Sequence, residues 1–166
     1  MRALLFTAFV IAGLAGSALA EPTASDARVE VTLGPELQQK AAQEYGLKDV
    51  QRLAEDLRKD AARQIERTGV LAGGRLELTL VDVKPNRPTF KQLGDKPGLS
   101  MESFGVGGAA IEGRAISMDG VVTPVRYKWY ETDIRQARFS GTWSDAQHAI
   151  DRFAAQLGHG NLYARR

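Results

Sequence analysis

The chain has 166 residues, 43% hydrophobic and 25% charged, with 22 basic against 20 acidic side chains and no cysteine. That balance fits a globular fold and excludes the low-hydrophobicity signature of disorder, and a formal charge of +2 is too small to name nucleic acid as a partner. Without cysteine there is neither a disulfide framework nor thiol chemistry, so the core stands on packing alone.

Met1 and Arg2 lead into an apolar run from Ala3 to Ala12 and on to Ala18-Leu19-Ala20, the pattern of a secretory signal with a small-residue cleavage site. The expectation is export, cleavage after Ala20, and a periplasmic or secreted product that does not require membrane association. Removing 20 of the 166 residues leaves 146 with a net charge of +1, a size at which one domain buries roughly 68–70% of its unfolded surface. No cysteine follows Ala20, so a covalent lipid anchor is not expected. Residues 21–27 read as a flexible leader, 28–158 as a single domain and 159–166 as a frayed tail.

Val29, Val31 and Leu33 alternate with Glu30 and Thr32, the period of a strand with one dry face. Gly34-Pro35 stops it, and Pro35 opens a short helix expected to reach Tyr45, where Gly46 breaks it. From Asp49 to Thr68 the apolar stripe Val50, Leu53, Ala54, Leu57, Ala61 and Ile65 predicts an amphipathic helix, its charged side a solvated face, ended by Gly69. Leu76, Leu78 and Leu80 then give a second strand, with a bulge expected near Asp82 and a parallel crossover relation to the first.

Residues 84–108 hold Pro85, Pro88, Pro97 and five glycines and show neither helical nor strand period. Long connections of this kind are often functional or mobile. This is the expected place of partner contact, with Arg87, Phe90, Lys91, Leu99, Met101 and Phe104 as the contact candidates.

A hairpin follows around Asp119-Gly120. A three-residue loop through Val121 would oppose Glu112 to Lys128, Ile111 to Trp129, Ala115 to Val125 and Gly113 to Tyr127, whereas a two-residue turn would waste both the apolar contact and the charge pair. The first register is the expectation, with Pro124 on an edge or non-bonded position. The last helix is expected from a Ser144–Gln147 capping box to a stop at Gly158, with Ala146, Ala149, Ile150, Phe153, Ala154 and Leu157 inward. Together these elements predict an α+β two-layer sandwich: a four-stranded mixed sheet in β-α-β-β-β-α order with two main helices on one face.

The chemistry candidates are few. His148, between Asp145 and Asp151 at three-residue steps, is expected to face water, and His159 has no predicted partner. The glycines of Gly105-Val106-Gly107-Gly108 precede a strand, so they read as a tight chain path and not as a dinucleotide loop. Arg126-Tyr127-Lys128-Trp129-Tyr130 splits its cations and inner aromatics between two faces. No catalytic, cofactor or metal residue is assigned.

The segments Val106-Gly107-Gly108-Ala109-Ala110-Ile111-Glu112-Gly113, Asp119-Gly120 and Trp143-Ser144-Asp145-Ala146, leading to Phe153-Ala154 and Leu157, resemble a family of uncharacterised exported envelope proteins of Gram-negative bacteria, often lipoproteins. That resemblance implies export and no particular reaction; the lipid-carrying cysteine is missing here, and no functional residue carries over. The leading expectation is a non-enzymatic binding or assembly module of the cell envelope that meets another envelope protein through residues 84–108 or an open sheet edge. The rival is a small carboxylate-dependent hydrolase or carbohydrate-active enzyme using Asp82, Asp95 or Glu102.

Overall fold

The structure, a computed structural model, describes residues 28–138 and 140–161; the expected signal, leader and last five residues lie outside them. Strand β1 (Arg28–Leu33) ends at Gly34, whose N–H bonds to the Leu80 carbonyl at 2.9 Å. Helix α1 (Pro35–Lys40) starts on Pro35, where a missing N–H costs nothing, and passes into a π-helical turn, Ala41–Tyr45. Gly46, at φ 97°, then reverses the chain into α2 (Leu47–Thr68). The expected short helix is therefore two pieces; the wider turn buries both Ala41 and Tyr45.

Helix α2 buries Val50, Leu53, Leu57, Ala61 and Ile65 and ends at Gly69 in the left-handed region, as its stripe predicts. Strand β2 (Arg75–Lys84) pairs parallel with β1, Val31 opposite Leu78, and its register shifts between Leu80 and Asp82. That bulge returns Val83 to the dry side. Strands β3 (Gly108–Ile116) and β4 (Val122–Tyr130) complete a mixed sheet in the order β1-β2-β3-β4.

The hairpin register corrects the expectation by two residues. Ile111 faces Tyr127, Glu112 faces Arg126, Gly113 faces Val125 and Ala115 faces Thr123. Ser117 closes the loop by accepting from Gly120 N–H at 2.9 Å and donating its own N–H to Val121 at 3.0 Å, so the three loop residues are Met118, Asp119 and Gly120. The third position of such a loop takes a positive φ, and Gly120 supplies it at 84°. A shift of two keeps every side chain on its expected face, which is why the dry set survives the error. Pro124 falls on the edge strand, opposite Arg114.

Helix α4 (Ser144–Gly158) lies beside α2 on the dry face, and Leu37, Leu53, Leu57, Leu76, Leu80, Ile111, Ile150 and Leu157 fill the space between the layers. Each such side chain contributes about 1.5–3 kcal/mol on burial. Two details of α4 differ from expectation. Trp143 is the N-cap and Ser144 is already helical, its hydroxyl accepting from Gly141 N–H at 2.8 Å, so there is no Ser144–Gln147 capping box. The helix also runs through Gly158, which fits closely against Gln64 of α2; the positive φ belongs to Gly160. The opposite face of the sheet carries Glu30, Thr32, Glu112, Arg114, Arg126 and Lys128 and has no helix layer among the described residues. Among those residues no helix is long and apolar enough to cross a membrane.

Candidate functional site

Residues 84–108 are more ordered than their composition predicts. β2 continues to Lys84, β3 begins at Gly108, and between them Thr89 caps a short helix, α3 (Phe90–Asp95), in a reciprocal box with Gln92. The six-residue helix has no apolar stripe to announce it in the sequence; its one legible signal is the Thr-x-x-Gln spacing.

A buried network closes the neck of this excursion. Asn86 donates its backbone N–H to Thr142 O (2.7 Å) and accepts at its carbonyl from Gly105 N–H (2.7 Å). Its side-chain amide donates to Gly105 O (3.1 Å) and to Asp145 Oδ2 (2.6 Å), while its Oδ1 accepts the Asp145 N–H at 2.8 Å. Asp145 is fully buried, 0% exposed, and also accepts from Gly107 N–H (2.9 Å) and Arg138 N–H (3.0 Å). Three donors on one carboxylate, in the first turn of α4 where the helix dipole favours negative charge, offset the cost of its burial. Gly107 lets the chain approach: a Cβ there would lie 2.7 Å from Asn86 Oδ1.

Asn86 carries no signal in the sequence, and Asp145, which the sequence places beside His148 and Asp151, does not share a water-facing side with them. Its place was readable, since residues 145, 149 and 153 follow at four-residue steps and the latter two are core. His148 is half-buried too, with its ring edge-on to Trp129 at a centroid distance of 5.0 Å; burial, with Arg138 and Arg152 nearby, pushes its imidazole pKa down. Among the described residues no group of three or more His, Asp or Glu is arranged to hold a metal ion.

The contact candidates sit on the excursion in two roles. Arg87 donates to Met101 O at 2.8 Å, bracing the outgoing limb against the returning one, and Lys91 pairs with Asp95 at 2.8 Å within α3. Phe90 is 82% exposed, Phe104 54%, Met101 53% and Leu99 37%. The three carboxylates of the rival reading do not share a partner: Lys40 (3.0 Å) and the Tyr130 hydroxyl (2.6 Å) both donate to Asp82, Asp95 holds Lys91, and Glu102 is exposed. Burial and the Asp82 carboxylate push the Tyr130 phenol well up. A hollow of about 820 Å³ on the open sheet face is lined by Glu30, Glu36, Glu77, Glu112 and Arg114. There Arg114 and Arg75 hold Glu77 below the usual carboxylate range.

Asp151 gives a pH signature to the α2–α4 groove. Burial first, and then Asp60 across the groove, raise its carboxyl pKa against the smaller opposing effects of His148 and Arg63; Asp56, Lys59 and Glu66 line the same groove. A carboxyl that binds its proton more tightly when folded stabilises fully below the ordinary aspartate range, and that contribution is lost as pH rises through the raised value. Asp151→Asn is therefore expected to melt above the parent at about pH 7, with the gap narrowing through the carboxylate range and closed by about pH 3. Thermal melts across that range check it, and a gap independent of pH would contradict it.

No family model, curated protein or solved structure matches this chain.

Proposed function

We propose that this chain is a non-catalytic binding or assembly module exported to the bacterial cell envelope, and that it meets an envelope protein through the excursion from Asn86 to Gly105. The observation that carries the reading is the exposure of Phe90, Leu99 and Met101 on one segment whose neck is fastened by buried hydrogen bonds. Ordering such a segment costs backbone entropy, and the apolar surface that these side chains keep in water offsets none of it. A partner surface that covers them does, and apolar anchors on a braced loop are the usual centre of such a contact. Export belongs to the same proposal: native material should begin at Glu21.

The test is recovery of partners from an envelope extract by the intact chain and by Phe90→Ser/Met101→Ser. Both positions are exposed, so the fold should be kept, which a thermal melt verifies. At least a tenfold loss of a recovered protein is expected from the double variant. Identical partner sets, or none with the intact chain, would remove the excursion from the account.

A further inference from the structure

Strand β4 forms one edge of the sheet, and among the described residues no strand pairs with its outer side. Two bonds bracket its phase: Ser117 N–H to Val121 O at 3.0 Å and Glu131 N–H to Gly107 O at 2.9 Å. Antiparallel alternation then turns the backbone groups of odd-numbered residues toward β3 and those of Val122, Pro124, Arg126, Lys128 and Tyr130 outward. Pro124 lacks an N–H at an outward position, where no ladder bond is lost. Beyond it, Arg126, Lys128 and Tyr130 offer a continuous run of edge donors and acceptors.

Two side chains on this edge are cationic and engage no carboxylate in an ion pair, although Glu112 stands opposite Arg126 across the β3–β4 pair. Arg126 and Lys128 stand on the open face, and Arg152 of α4 lies 5.6 Å from the Trp129 ring centroid on the helix side. None of the three has a carboxylate at ion-pair distance among the described residues, whereas Arg52, Arg58, Lys59, Arg63, Arg75 and Arg114 are all paired. Positive charge on an edge strand also guards against self-association, and here it does so specifically. The central two-fold registers of β4 with a second β4 would oppose Arg126 to Arg126, Arg126 to Lys128, or Lys128 to Lys128, each repulsive. The same cations attract a strand of opposite charge.

We infer that β4 accepts an extended acidic segment of a partner protein as a fifth strand, its alternate carboxylates over Arg126 and Lys128 and an intervening apolar side chain against Trp129. Main-chain bonds to the outward groups of Arg126, Lys128 and Tyr130 supply attachment, and the charge pattern supplies selectivity. This surface is separate from the excursion and does not depend on it.

The probe is a labelled, blocked nonapeptide alternating Glu with Val and Phe, compared with one carrying Lys for Glu, titrated against the full chain by fluorescence polarisation. The acidic peptide is expected to bind at least tenfold more tightly, and amide exchange at Arg126, Lys128 and Tyr130 to slow at least tenfold on saturation. R126Q/K128E, which places no carboxylate opposite Glu112, should reverse the preference while melting near the parent. Phe90→Ser/Met101→Ser should leave peptide affinity unchanged. No binding of the acidic peptide, equal affinity for both peptides, an unmoved preference in R126Q/K128E, or unprotected edge amides in the complex would each overturn the assignment, as would loss of affinity in the excursion variant.

Discussion

Asp145→Ala is expected to lower the unfolding free energy by about 3–5 kcal/mol and the midpoint of thermal melting by roughly 10–20 °C. The substitution removes the acceptor shared by Asn86 Nδ2, Gly107 N–H and Arg138 N–H, and the site is too deeply buried for water to replace it without rearrangement. Unmade bonds of buried donors cost about 1–3 kcal/mol each, and because the three donors share one centre their costs do not simply add. The neck of the excursion should open first, so the Gly107 and Arg138 amides should lose exchange protection ahead of those in β2 and β3. Asp145→Asn keeps one carbonyl oxygen but turns an amide N–H₂ against a donor, so it should fall between the parent and alanine. Denaturant titration of the three proteins provides the ranking; an alanine variant within about 1 kcal/mol of the parent would show that the network does not hold the loop.

Gly113→Ala is expected to cost about 3 kcal/mol or more for a single added methyl. A Cβ at Gly113 would lie 2.1 Å from the Glu77 carbonyl oxygen and 2.9 Å from the Leu78 Cα, both backbone atoms of the neighbouring strand. β2 cannot retreat, because β1 pairs on its far side and Leu76, Leu78 and Leu80 are packed under the helices. Gly94→Ala is the matched control. It lies in α3 with nothing within 4 Å of its Cβ position, so alanine there should be neutral or stabilise by up to about 1 kcal/mol. Equal melting temperatures for the two variants would mean that the β2–β3 pair is looser than its geometry.

The parts of the fold legible in the sequence are those governed by local periodicity. The alternation of Val29, Val31 and Leu33, the stripe from Val50 to Ile65 and the phase break near Asp82 each follow from which side of one element must be dry, and each stands in the structure as a strand face, a helix face and a bulge. The hairpin shows where that information stops. Face assignment is a parity and survived, while register is a sum set by the turn, and the turn was decided by the positive φ of Gly120 and the Ser117 closure. The contact candidates Phe90, Leu99, Met101 and Phe104 could be named from a loop composition, but their exposure could not.

By itself, then, the chain's order of apolar and polar residues determined the α+β class, the element order and the two faces of the sheet, because burial acts on every second residue of a strand and every third or fourth of a helix. Only the tertiary structure decided that Asn86 and Asp145, 59 positions apart, would meet and fasten the excursion, and that Arg126, Lys128 and Arg152 would stand along an edge with no ion pair among the described residues. Those outcomes depend on distances between segments remote in sequence, and no local period records them.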